Sequence, residues 1–168
     1  MTVQGCHCEK RNDEAISPHQ TPAQKTAVSP PLIIVHSLGH AVAALSAAAE
    51  VGRSVTVASA PDAGIYAGPG WFGALIAAAR DAVPAAQSAA LLDCGDDAGA
   101  AQAAIRGGIE GVIFTGRRDV ADRLADIAAQ RGVRLATARP LPALDLGAEF
   151  FASSDTLRAR CAEAFRQD

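Results

Sequence analysis

Residues 89–114 read AALLDCGDDAGAAQAAIRGGIEGVIF. Two short apolar runs, Ala89-Ala90-Leu91-Leu92 and Gly111-Val112-Ile113-Phe114, flank an alanine-rich amphipathic segment over 97–107. The acidic turn Asp93 to Asp97 opens that segment, and Gly107-Gly108 closes it where a helix end wants a left-handed residue. The pattern is strand, helix, strand. Strands that are apolar along their whole length, alternating with helices, belong to a parallel sheet buried on both faces.

The same unit recurs along the chain. Leu32-Ile33-Ile34-Val35, Ser54-Val55-Thr56-Val57-Ala58 and Val133-Arg134-Leu135-Ala136 are further strand candidates, and the helical segments are 38–51, 71–83, 97–107, 118–131 and 154–166. Gly52 and Gly132 stand at helix ends. The fold class is therefore α/β, a five-unit (βα) parallel sheet within a single domain over 32–168. Two architectures fit: an open doubly wound sheet with helices on both faces, or a partial barrel, since a complete barrel takes at least about 200 residues. Right-handed crossovers bring every strand's C-terminal end to one edge, where such sheets bind ligands.

Composition narrows the chemistry. Of the 168 residues 49% are hydrophobic, but 39 residues are alanine, so the core is lean and burial through a homodimer would add to it. A net charge of -3 leaves no electrostatic footprint for nucleic acid and no polybasic membrane patch. No apolar run approaches the length of a bilayer span, which points to a cytoplasmic protein. Cys6, Cys8, Cys94 and Cys161 are too few and too irregular for a disulfide scaffold and read as reduced thiols. The only lysines are Lys10 and Lys25, so the body offers no Schiff-base lysine, no pyridoxal attachment and no Walker-type lysine. No cofactor is assigned.

Residues 1–31 form a polar, proline-bearing stretch without helical or strand period, expected to be a disordered tail. Its Cys6-His7-Cys8 has the donor chemistry of a metal clip, but three adjacent residues cannot wrap a tetrahedral ion, and no metal site is assigned. Residues 6–17, Cys-His-Cys-Glu-Lys-Arg-Asn-Asp-Glu-Ala-Ile-Ser, resemble the translation of a dispersed bacterial repeat element, which implies a start codon placed too early.

Two family resemblances lie in the body. Residues 91–97 together with 103–114 resemble a unit of aldolase-type and phosphate-binding (βα) barrels, which implies a small phosphorylated ligand at the strand ends and lyase chemistry. A body without lysine would route an aldolase-like step through a metal and not an iminium. The order Asp93, Thr115, Arg139-Pro140 is similar to the Asp, Thr, Lys-Pro series of response-regulator receiver domains. His36-Ser37 replaces that family's first-strand acidic pair and arginine replaces its lysine, so phosphorelay chemistry lacks two of its parts.

The strand-end edge then supplies the candidates. Asp93 and His36 are the acid–base pair, His36 because its reference pKa lies near neutrality. His36 and His40 are four residues apart, but a strand sets the direction of the first, so the alternative is a structural pair. Asp96 or Asp97 serves as a helix N-cap, and Cys94 is a small buried side chain if not a reactive thiol. Thr115, Gly116 and Arg117 open a helix and make an anion site together with Arg139, the alternative being a Thr115 cap and solvated arginines, with Asp119 near enough to neutralise one. The loop 62–72 holds Tyr66 and Trp71, the only residues of their kinds, and is a candidate lid. Residues 139–153, with Phe150-Phe151, lead to a last helix and either dock it or form a dimer contact. The expected function is binding of a small anionic metabolite at this edge, with lyase or aldolase-like chemistry. The alternative is a non-catalytic, receiver-like or half-barrel protein-interaction module.

Overall fold

The computed structural model describes Met1 and residues 29–167. The tail expected over 1–31, its Cys6-His7-Cys8 and the repeat-like stretch 6–17 therefore lie outside the described residues, apart from Met1 and 29–31.

The expected units are present. Strands β1 (Leu32–Val35), β2 (Val55–Ser59), β3 (Ser88–Asp93), β4 (Gly111–Ile113) and β5 (Arg134–Ala136) alternate with helices α1 (Leu38–Val51), α3 (Gly68–Ala82), α4 (Ala98–Arg106) and α5 (Arg118–Gln130), and α6 (Ser154–Gln167) closes the chain. Ser37 caps α1, its hydroxyl accepting from the His40 amide, and Gly52 ends that helix at φ 65°. Asp97 is the N-cap of α4 and accepts from the Ala100 amide.

Two elements differ from expectation. The stretch read as a lid loop is mostly helical, with α2 over Ala63–Tyr66 and α3 starting at Gly68. Pro69 falls in the first turn of α3, where its missing N–H removes no helical bond, so a residue that looks like a loop signal opens a helix. A sixth strand, β6 (Leu144–Asp145), is only two residues long, and a 3-10 turn over Leu146–Glu149 follows it.

All strands are parallel, in the order β5-β4-β3-β2-β1-β6. From β1 to β5 each crossover advances one place in the same direction, so right-handed connections put every helix on one face. The core agrees. Ile33, Val35, Val55, Val57, Leu92 and Val112 pack with α1, α3, α4, α5 and α6, while Ala58, Leu91 and Ile113 form a separate small cluster with Leu32, Ile34 and Ala136 on the other face. Helices on both faces, the doubly wound alternative, are thereby corrected: local strand pattern reports burial but not what does the burying. The consecutive order is that of a (βα) barrel's arc. It stays unclosed, because β5 and β6 do not pair.

Alanine makes the helical layer thin and close. Ala41, Ala43, Ala44, Ala47 and Ala48 are buried on α1, which packs against both the sheet and α6. Larger anchors are few: a fully buried side chain such as Phe72, Phe114 or Leu45 contributes roughly 1.5–3 kcal/mol. Helix α6 docks through Leu157, Cys161, Ala164 and Phe165, and the Arg53 guanidinium donates to the Phe165 carbonyl at 2.5 Å. Among the described residues no helix is long and apolar enough to cross a membrane.

The inner face of the arc has its own cover. Residues 137–143 run from β5 back across it to β6 as a strap, the Ala143 amide donating to the Leu32 carbonyl at 2.8 Å. The strap divides the concavity into a small cavity of about 30 Å³ near the C-terminal strand ends and a larger groove toward the N-terminal ends.

Candidate functional site

Side chains alternate along a strand, so Leu32 and Ile34 on the inner face put His36 there too, just past β1. Asp93 follows Leu91 by the same rule and lines the small cavity. The pairings Val35↔Ser59 and Ala58↔Leu91 carry the register onward to place His36, Ala60 and Asp93 in one row. Two strand spacings separate the outer members, roughly 10 Å between backbones.

Asp93 is 2% exposed and fully engaged. Its Oδ1 accepts from the amides of Gly95 at 2.8 Å and Asp62 at 3.1 Å, and its own amide donates to the Ser59 hydroxyl at 2.9 Å. Arg139 reaches it from the strap: Nε donates to Oδ2 at 2.6 Å and Nη2 to Oδ1 at 3.1 Å. Nη2 also meets Asp62 Oδ1 at 2.6 Å. The hydrogen bond to Asp93 leads the effects that raise the Arg139 pKa above its ordinary value, against a smaller opposing effect of burial. Nη1 of Arg139 has no partner among the described residues, and its side chain is 43% exposed. Gly95 is required at its turn because φ is +53° and an added Cβ would collide with the Asp62 carboxylate.

His36 is held differently. Its Nε2 donates to Asp145 Oδ1 at 2.7 Å, since an ionised carboxylate can only accept. That bond leaves Nδ1 as the basic nitrogen. Asp145 also accepts from the Gly147 amide at 2.9 Å. Burial tends to raise the Asp145 pKa, but the Gly147 amide and His36 outweigh it and hold the carboxyl below its usual value. The His36 amide donates to His40 Nδ1 at 3.2 Å, so the second histidine is a structural acceptor, only 1% exposed and edge-on to Phe150. Burial lowers its pKa, the charge of His36 lowers it further, and Glu149 and Asp145 pull the other way.

The remaining candidates separate from this row. The Arg117 guanidinium closes on Asp119 in a two-pronged pair at 3.0 and 2.8 Å, and the Thr115 amide is spent on the Gly95 carbonyl at 2.7 Å. Arg117, not Thr115, occupies the α5 N-cap position, with no side-chain cap bond. Gly116 has a packing reason, because a Cβ there would run into the Phe114 ring. Tyr66, on the short helix α2, bonds the Pro61 carbonyl at 3.1 Å and is largely exposed, and Trp71, in the first turn of α3, is partly exposed. The Cys94 thiol is buried and pushed up to about 12, by desolvation first and then by Asp93 and Asp97, so it is inert. The structure thus joins Asp93 to Arg139, sets His36 in the same row, and places Arg117 in a separate network. Sequence reasoning missed Asp145 and Asp62. A two-residue strand has no period to detect, and only Asp145 two residues before Gly147 hints at a turn.

No protein-family model matches the chain, and no curated protein matches its sequence. In fold it is similar to the crystal structure of "a putative fructose-1,6-biphosphate aldolase from Coccidioides immitis", with a TM-score of 0.53 and 18% identity over 63% of this chain. This chain covers 39% of that one, so the likeness is to an arc of an aldolase-type fold.

Proposed function

We propose that this chain is a small-molecule-binding α/β domain that receives an anionic metabolite, carrying a carboxylate or phosphate, at the C-terminal mouth of its unclosed barrel. The observation that carries this reading is the single inner-face row of His36, Ala60 and Asp93. Each ionisable member is braced by a partner, Asp145 for the histidine and Arg139 for the carboxylate. Barrel-type sheets bind ligands at this edge.

The roles follow from the free atoms. His36 Nδ1 takes or returns a proton, while Asp145 fixes the tautomer and the ring's orientation. Arg139 meets the anion through Nη1, and Asp93 positions that guanidinium. Arg139 lines the small cavity beside Asp93 and Arg117 does not, so Arg139 is the cation of the site. The aldolase-like fold makes proton abstraction beside a carbonyl, or aldol-type carbon–carbon cleavage, the favoured reaction class. Residues 26–168 hold no lysine for an iminium route.

The test is calorimetric titration with a panel of phosphorylated sugars and short hydroxy and keto acids. Arg139→Gln is expected to weaken binding about tenfold or more, the size of a charge-assisted bond. His36→Asn is expected to keep binding and lose turnover. Absence of binding by any anion in the panel sinks the proposal. A second reading, a non-catalytic half-barrel interaction module or homodimer, draws on the exposed Tyr66, Trp71 and Phe151, and a stable complex without ligand binding would favour it.

A further inference from the structure

We propose that the larger groove on the inner face, at the opposite end from the mouth, binds an apolar carboxylic acid. Its volume is about 590 Å³, within the span of small-molecule sites. Leu32, Leu91 and Ala136 form the floor and Leu141 of the strap one wall. This apolar surface lies between β5 and the strap, where the sheet does not close.

Charge decides the class of ligand. Among the described residues no carboxylate lines the groove, although the chain as a whole is acidic, and Arg134 is the one cation on it. Arg134 shares the inner side of β5 with Ala136, and its guanidinium makes no ion pair or hydrogen bond among the described residues. The acid near it, Glu110, is already taken: Arg80 Nη1 donates to its Oε1 at 2.6 Å and the Ala90 amide to its Oε2 at 3.0 Å. That engagement holds the Glu110 carboxyl below its ordinary value, with the Arg80 bond the largest cause. The Thr56 hydroxyl, also on the lining, has no partner among the described residues. An apolar channel with one unspent arginine at its rim and a spare hydroxyl matches an apolar body with a single anionic head. Its cation, Arg134, is distinct from that of the mouth, Arg139.

The full chain should be titrated with octanoate and with octanol by nuclear magnetic resonance. Octanoate is expected to bind about tenfold or more tighter than octanol. Arg134→Gln is expected to erase that preference while leaving octanol affinity unchanged, and Leu141→Asp is expected to weaken octanoate. Both positions are exposed, so neither variant threatens folding. Arg117→Gln, away from the strap, is expected to leave the preference intact. Equal affinity for the two probes, no binding of either, or a preference that survives Arg134→Gln would each overturn the assignment.

Discussion

Removing Arg139 tests whether the ion pair at the mouth holds the strap to the sheet. Asp93 keeps two amide donors on Oδ1 in Arg139→Ala, but Oδ2 loses the Arg139 Nε, its one partner among the described residues. Stripping a buried charge of its counter-ion costs about 3–5 kcal/mol in a closed interior. Here the Arg139 side chain is 43% exposed, so water can reach the vacated oxygen and the figure falls to about 2 kcal/mol. For a domain of this size that is ~6–10 °C in Tm. Chemical denaturation and calorimetry would read both quantities, with Arg117→Ala as the control. The Arg117–Asp119 pair is exposed on both sides, 81% and 52%, and its loss should cost under about 0.5 kcal/mol. In an Asp93→Asn background the Arg139 effect should shrink to about 0.5 kcal/mol, because the uncompensated charge is gone. If Arg139→Ala proves no worse than Arg117→Ala, the pair is an ornament and the reasoning fails.

Other outcomes follow from the same geometry. His40 has a lowered pKa in the folded state, so its neutral form is the stable one; stability should decline as pH falls below its ordinary 6.5, and His40→Gln should flatten that slope in denaturation curves taken across the range. Asp145 also has a lowered pKa, so its contribution, present above the ordinary 3.8, should vanish as pH drops through the folded value; Asp145→Asn should remove this acid limb. Cys94 and Cys161, each buried and raised to about 12, should resist iodoacetamide at pH 8 in native protein and be alkylated in denaturant, as peptide mass spectrometry would show. Gly116→Ala should cost about 1–3 kcal/mol through the Phe114 ring, measurable by the same denaturation assay.

Much of the fold was legible because period is a strong signal over five or more residues. β1 and α1 lie where their apolar spacing puts them, and Gly52 and Gly132 mark helix ends in the left-handed conformation. The failures have physical reasons. Pro69 and its flanking glycines look like a loop, yet a helix tolerates proline in its first turn. β6 is too short to show a pattern, and with it went Asp145, the hydrogen-bond partner of His36. Asp93 and Arg139 were both visible as candidates, but their pairing depends on the path of 137–143 across the inner face, which no local pattern encodes. Arg117, attractive at a helix start, is spent on its neighbour two residues away.

The strand order also bears on how the molecule assembles. β1 to β5 each pair with the next strand along the chain, so those contacts close short loops and can zip in sequence. β6 is the exception: Ile33↔Leu144 joins residues 111 positions apart, for two residues of ladder. The entropy of that closure is recovered by little, so β6 should join late, after the helical layer has formed. Asp145 travels with it. A chain stalled before that last step would have its core and its Asp93 turn, yet His36 would stand without the carboxylate that orients it, so the geometry of this edge would be complete only with the final strand.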